Sequence, residues 1–196
     1  MVALGLQRLL ELRISRRNLR SAGSAPRASA ATYPAMVVVH VALFATCLVR
    51  RRQIPRTVES LALAGLVVST ALRISAIRAL GRYWNVSAHV DPSTRVVTSG
   101  PYRKVRHPNY TAVILEFACL PIAVGAVPEA LILSLANAAV LIPRIRAEEA
   151  LLDALPGYRA AFSGVPRFVP RPGRRSAGQI PASNIQSRTL RSPNPM

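Results

Sequence analysis

The stretch TAVILEFACLPIAVGAVPEALILSLANAAVLIP, residues 111–143, decides the fold. It consists of two apolar runs, 111–127 and 129–143, with Pro121, Gly125 and Pro128 within or between them. Proline and glycine bend or end helices, so the pattern predicts two short helices in a hairpin rather than one long helix.

Two further apolar runs precede this hairpin. Residues 33–49 carry no formal charge over about 17 positions, at the lower edge of what crosses roughly 30 Å of hydrocarbon at 1.5 Å per residue. Residues 58–80 contain an unbroken apolar or small segment before Arg73 and Arg78. We expect both arginines to extend toward the membrane interface, as long basic side chains near helix ends do.

The predicted fold is therefore an all-α, integral-membrane helical bundle. It has about four to five short transmembrane helices and ends in a C-terminal helical hairpin that binds a cofactor. Residues 1–170 form a single domain, whose first helix we expect to be truncated because apolar residues lead directly into a basic segment. Residues 171–196 are rich in Pro, Ser and Gly, contain arginines and no acids, and predict a disordered basic tail.

The distribution of basic residues along the chain indicates how the helices are oriented in a membrane. Its 196 residues include 26 Lys plus Arg and 8 Asp plus Glu, giving +18, yet 51% are hydrophobic and only 5% aromatic. This combination argues against a soluble nucleic-acid-binding domain, and we expect no nucleic-acid partner. Most of the basic residues lie in segments that share one side if the helices cross in pairs, which predicts that this side is cytosolic. The turn with Arg50, Arg51, Arg52 and Arg56 falls on the other side, against that rule.

Cysteine and histidine spacing predicts no metal site. Cys47 and Cys119 each lie inside an apolar stretch, as buried free thiols do. His40, His89 and His107 are far apart, and none has a Cys or His three or four residues away.

Polar side chains concentrate immediately before the hairpin, in TSGPYRKVRHPNY, residues 98–110. Pro108 is suited to the first position of a helix and biases His107 toward an extended backbone. His107, Arg106 and Tyr110 would then gather at a helix N-terminus, which favours an anionic or carboxylate-bearing ligand.

A second polar group follows the hairpin in RIRAEEALL, residues 144–152. Arg146 can bind an anion, while Glu148 and Glu149 can accept hydrogen bonds from an ammonium group or ribose hydroxyls. Together the two segments suit a zwitterionic cofactor that carries a nucleoside. The alternative is that neither segment binds a ligand: the first would be a basic segment that leads into a helix, and the second a helix whose acidic face is exposed to solvent.

The two motifs in this order, followed by GYRAAF and VPRFVP, resemble the isoprenylcysteine carboxyl methyltransferase family and its relatives among the phospholipid methyltransferases. The resemblance covers roughly residues 80–170. It implies an integral-membrane enzyme that uses S-adenosyl-L-methionine without a Rossmann fold. The cofactor residues that it implies are Tyr102, Arg106, His107, Tyr110, Arg146, Glu148 and Glu149. A small residue that is often Gly in the family is Ala112 here.

Four segments look most like a bacterial branch associated with type III polyketide synthases: RLLELRISRRN (residues 8–18), YPAMVVVH (33–40), RYWN (82–85) and RHPNY (106–110). Members of that branch O-methylate alkylresorcinols, alkylpyrones or quinols. The resemblance thus implies a bacterial inner-membrane enzyme that methylates an oxygen of a lipid-like or polyketide acceptor and is linked to such a synthase. The alternatives are a carboxyl methyltransferase for a prenylated or small-molecule acid, a cationic surface protein that binds anionic lipid or nucleic acid, and a nicotinamide-dependent reductase.

A phenolic or enolic acceptor benefits from a base, whereas a carboxylate is already ionised. His107 is the first candidate for that base, unless it only binds the cofactor or only caps the helix. Glu116 is the second candidate, and in any interpretation a carboxylate inside an apolar helix needs a partner such as Arg73 or Arg78.

Overall fold

The computed structural model describes residues 2–21, 32–49, 52–86, 94–171 and 177. These residues contain six α-helices, two 3₁₀ turns and no strand, so the all-α prediction is confirmed for them. The helices are α1 (Val2–Ser21), α2 (Tyr33–Val49), α3 (Arg56–Leu80), α4 (Pro108–Ala123), α5 (Val127–Leu152) and α6 (Tyr158–Ala161). Of the predicted tail, only Arg171 and Ala177 are described, so its disorder stays a prediction.

Within the described ranges, two helical segments are long and apolar enough to cross a membrane. They are Arg56–Tyr83, of 28 residues, and Val127–Leu152, of 26 residues. α2 and α4 are shorter apolar helices. Many large aliphatic side chains face outward from the bundle, including Val67, Leu131 and Leu135, each more than 60% exposed. An outer surface of this kind suits contact with hydrocarbon, where it costs nothing to leave apolar side chains outside.

α4 lies at the centre of the bundle and packs against α3, α5 and α2. Phe117 and Leu120 of α4 meet Leu43 of α2 and Leu141 of α5 in one buried cluster. α3 approaches α4 closely at Gly65, where a Cβ atom would overlap the Cys119 sulfur. Both cysteines are free thiols, as predicted; Cys47 is buried and Cys119 is partly buried.

α5 is longer than the sequence pattern indicated. The second apolar run and the RIRAEEALL segment form one continuous helix that passes through Pro143. Proline removes a single backbone N–H and is tolerated inside a membrane helix, where neighbouring groups satisfy the freed carbonyl. As a result, the end of α5 carries its carboxylates back to the level where α4 begins.

Residues 124–126 join α4 to α5 in a tight turn that depends on Gly125. Its φ of +78° lies in the left-handed region, and the turn is bonded to the residues before α3 through Arg52 N and Val124 O, 3.1 Å apart. A Cβ atom at Gly125 would overlap the carbonyl oxygen of Arg52. Only glycine therefore fits this close approach.

We predict that Gly125→Ala lowers the free energy of unfolding by roughly 1–3 kcal/mol, because it adds left-handed strain and a backbone clash. Thermal unfolding in detergent measures the change. Gly5→Ala is the matched control, since a Cβ atom at Gly5 has no neighbour within 4 Å in the described structure. That variant should be neutral or slightly stabilising in α1. Equal midpoints for the two variants would contradict the role given to the turn.

Candidate functional site

Pro108 is the first residue of α4, as predicted, and His107 occupies the N-cap position. The His107 side chain makes no capping hydrogen bond. Its Nε2 atom instead lies 3.0 Å from Glu149 Oε1 at the end of α5. The ring is 3% exposed, so this contact holds a buried imidazole against a carboxylate.

Two arginines also contact Glu149. Arg167 donates to it from Nε at 2.9 Å and from Nη2 at 2.7 Å, and Arg106 Nη1 lies 3.8 Å away. These bonds raise the pKa of Arg167 above its ordinary value. The paired, bidentate geometry is the strong form of an arginine–carboxylate contact. Glu149 is therefore fixed by protein side chains and orients His107.

The segment carrying Arg167 is fastened to the start of α4 by its backbone. Arg106 N donates to Pro166 O and His107 N to Arg167 O, both at 2.9 Å. Thr111 Oγ1 also donates to Phe168 O at 3.1 Å. We call residues 166–168 the strap, because they cross the entry to α4 and complete the environment of Glu149.

A second pair links the same two helices. The Tyr110 hydroxyl of α4 donates to Glu148 of α5, and Arg144 Nε donates to that hydroxyl at 3.1 Å. Burial and the nearby charge of Glu148 raise the pKa of Tyr102, so its hydroxyl stays protonated at neutral pH. Both motifs found in the sequence thus meet through side-chain bonds between α4 and α5.

These residues line a cavity of about 320 Å³, which we call the central cavity. This volume is within the range of small-molecule sites. The polar lining at this end includes Tyr102, Arg106, His107, Asn109, Tyr110, Arg144 and Glu148. One side comes from α2 and is mostly apolar, with Met36, Val37, Val41 and Phe44 beside Tyr33 and His40.

An ion cluster of Arg8, Glu11, Arg73 and Glu116 adjoins the central cavity, and its first three members line it. Arg73 Nη2 lies 2.8 Å from Glu116 Oε2, and Arg8 bonds both Glu11, at 2.8 Å, and Glu116. Arg73 is 3% exposed and Glu116 is 2% exposed. Two guanidinium groups and two carboxylates therefore neutralise one another between α1, α3 and α4, as buried charges require.

The ion cluster confirms one prediction and corrects another. Glu116 does have Arg73 as its partner. Arg73 does not extend to the membrane interface, however, because the Glu116 and Glu11 carboxylates hold it inside the bundle. Arg8 and Arg73 line the central cavity, whereas Glu116 is not among the lining residues. Glu116 thus supports the cavity wall from behind, and its proposed role as a base stays a prediction.

The structure brings most of the predicted cofactor residues together and leaves one apart. Arg106, His107, Tyr110 and Glu148 line the central cavity with Tyr102, and Glu149 contacts His107 from behind. Arg146 is exposed and is not among the lining residues, so its cofactor role stays a prediction.

Sequence reasoning missed Arg8, Asn109, Arg144 and Arg167 as contributors. Helical spacing was the available signal for Arg144, since residues four apart share a helix face and Arg144 is four before Glu148. Nothing comparable marked Arg8 or Arg167, which reach the site from segments distant in sequence.

Comparison with known proteins relates the chain to an enzyme family. The model of the isoprenylcysteine carboxyl methyltransferase (ICMT) family matches residues 61–154, which include Arg73, both motifs and Glu116 but not the strap. The chain is also similar to the uncharacterized protein YpbQ of Bacillus subtilis (strain 168), with 31% identity over 153 residues. That alignment covers 76% of this chain and 91% of the relative.

We predict that Glu116→Gln lowers the free energy of unfolding by roughly 3–5 kcal/mol, because it leaves Arg8 and Arg73 with unbalanced charge inside the bundle. Thermal unfolding in detergent measures the change, with the exposed Glu59→Gln in α3 as control. Wild-type stability together with lost turnover would instead identify Glu116 as a base.

Proposed function

Because the chain belongs to the isoprenylcysteine carboxyl methyltransferase family, whose members are membrane methyltransferases, we propose that it transfers a methyl group from S-adenosylmethionine to an acceptor oxygen. The acceptor is a lipid-like or polyketide hydroxyl compound such as an alkylresorcinol, alkylpyrone or quinol. One observation carries the proposal. The motifs at residues 98–110 and 144–152 contact each other through the Tyr110–Glu148 and His107–Glu149 hydrogen bonds, and these contacts lie beside a cavity with a mostly apolar side.

The side chains present fit the proposed cofactor. A smaller cavity of about 100 Å³ shares Tyr102, Arg106 and Glu148 with the central cavity, and its other walls include Leu152, Tyr158 and Phe162. Aromatic and aliphatic walls suit a purine ring, and the Glu148 carboxylate suits ribose hydroxyls. When bound, S-adenosylmethionine supplies an electrophilic methyl group on a sulfonium centre.

The α2 side of the central cavity supports a lipid-like acceptor. Val37 and Val41 line the cavity and are 41% and 61% exposed, so this side offers accessible apolar surface. An acceptor with a chain or ring can therefore occupy this side while its oxygen lies at the polar end.

The base that we propose for an acceptor hydroxyl is His107. In the tautomer in which Nε2–H donates to Glu149 Oε1, Nδ1 is the ring nitrogen that can accept a proton. A carboxylate that orients a histidine in this way is a recurrent arrangement for general bases. The roles that we assign are base for His107 and positioning residue for Glu149.

The charge distribution supports a cytosolic orientation for the cofactor end, in a bacterial inner membrane. Arg78, Arg82, Arg103, Arg106 and Arg159 all lie near the ends of α3 and α5 or the start of α4. Lysine and arginine accumulate on the cytosolic side of membrane proteins, where the cofactor is also present. A functional link to a type III polyketide synthase belongs to the same proposal and accounts for a polyketide acceptor.

Labelled S-adenosylmethionine tests the proposed function in membranes supplemented with a bacterial lipid extract. We expect transfer of label to a lipid-soluble product by the wild-type protein. His107→Asn should lower the rate roughly 10²–10⁴-fold, the usual contribution of a general base. Glu148→Ala should abolish cofactor binding, measured separately in detergent. Label transfer that is unaffected by both substitutions would contradict the assignment.

The product also distinguishes the acceptor oxygen. We expect a label that resists mild base, as an aryl or enol ether does. Release of labelled methanol by base would indicate an ester and hence a carboxyl acceptor, which needs no base from His107. A protein that bound only anionic surfaces would transfer no label, and its binding would weaken steeply with salt.

A further inference from the structure

A third cavity, of about 770 Å³, is lined by residues of α6 and of the strap, and the proposed methyl transfer does not use it. We call it the outer cavity. Apart from Arg106, its lining residues all lie between positions 153 and 171, after the end of α5. The outer cavity is therefore outside the membrane-crossing helices, at the end of the bundle where α4 begins.

The outer cavity is strongly basic. Four arginines line it, namely Arg106, Arg159, Arg167 and Arg171. Asp153 is the one acidic side chain among its lining residues in the described part of the chain. Asp153 Oδ2 lies 3.2 Å from Arg159 Nη2, but these side chains are 38% and 77% exposed. An ion pair in water is weak, so Arg159 can turn to another anion at little cost.

Two of the other arginines have hydrogen-bond donors to spare. Glu149 takes Nε and Nη2 of Arg167, which leaves Nη1 available. Arg171 forms no ion pair with any residue in the described ranges. Even when Glu149 is counted beside Asp153, four guanidinium groups stand against two carboxylates. The outer cavity thus has an excess of positive charge that an anionic ligand would balance.

The rest of the wall is largely apolar. Phe162, Val165, Phe168 and Val169 line the outer cavity, and Val169 is 70% exposed. A small free anion gains nothing from such side chains. A lipid, in contrast, carries a charged head group next to apolar carbons, and lipid head groups lie at the depth where membrane-crossing helices end. Basic pockets in this position suit acidic lipid head groups.

We propose that the outer cavity binds the phosphate-bearing head group of an anionic membrane lipid. The phosphate oxygens accept hydrogen bonds from Arg159, Arg167 and Arg171, whose planar guanidinium groups match phosphate geometry. The carbons next to the head group contact Val169. A zwitterionic lipid is disfavoured because it brings its own cation to the arginines. The three arginines line neither of the other two cavities, so this site is separate from the one proposed for methyl transfer.

The bound head group would also stabilise the strap. Arg167 and Phe168 belong to the strap and line the outer cavity, while the strap backbone is bonded to Arg106 and His107. A ligand that contacts Arg167 in this cavity therefore holds the strap against the start of α4 from the outside. A ligand that binds the folded protein raises its unfolding temperature by mass action. Binding is thus measurable without turnover.

The test is thermal unfolding of the detergent-purified full chain with a short-chain phosphatidylglycerol, the matching phosphatidylcholine or inorganic phosphate. We expect the midpoint of the wild type to rise with phosphatidylglycerol and not with phosphatidylcholine. The double variant Arg159→Gln/Arg171→Gln should need roughly tenfold more phosphatidylglycerol for the same rise, because two charged hydrogen bonds are lost. Arg106 and Arg167 are left unchanged because they contact Glu149.

The matched control is Arg103→Gln/Lys104→Gln, which removes two exposed positive charges at the same end of the bundle without changing any of the three cavities. It should respond to phosphatidylglycerol as the wild type does. An equal response in the site variant, or an equal loss in the control, would overturn the site, whether or not the protein transfers methyl groups. An equal rise with inorganic phosphate at the same concentration would overturn the lipid and identify a free anion as the ligand.

Discussion

Ionised side chains inside an apolar bundle must find partners, and in this protein the partners lie on other helices. Glu116 of α4 pairs with Arg73 of α3, and Glu149 of α5 pairs with His107 at the start of α4. Apolar packing between membrane helices is permissive about rotation and depth, since lipid is as apolar as the side chains it replaces. The polar pairs are specific because an unpaired charge is costly. They therefore determine how α3, α4 and α5 are aligned.

The same pairs explain which parts of the fold were predictable. The start of α4 followed from Pro108, whose fixed φ and missing N–H suit the first helical position. Arg73 was predictable as a partner of Glu116, because few basic residues lie in the membrane-crossing segments. Residues 61–154, which match the family, also contain both motifs from which the cofactor residues were predicted. These features were predictable because they depend either on neighbouring residues in the sequence or on a charge that has few candidate partners.

The features that could not be predicted from the sequence depend on how a helix is rotated in the bundle and on contacts between segments that are distant in the sequence. Arg144 and Arg146 are two residues apart, so they point to different sides of α5, and the buried one was not the one chosen. Continuation of α5 through Pro143 was also missed, because the cost of proline in a helix depends on neighbours that the sequence does not show. Arg167 is linked to Glu149 only after the strap has folded back on α4.

The strap also determines when the surroundings of Glu149 are complete. Glu149 lies 18 residues before Arg167, its bidentate partner. A chain that has been synthesised only to the end of α5 therefore contains both His107 and Glu149 but lacks the guanidinium group that holds the carboxylate. Docking of the strap on the start of α4, through its backbone bonds to Arg106 and His107, is the step that supplies it.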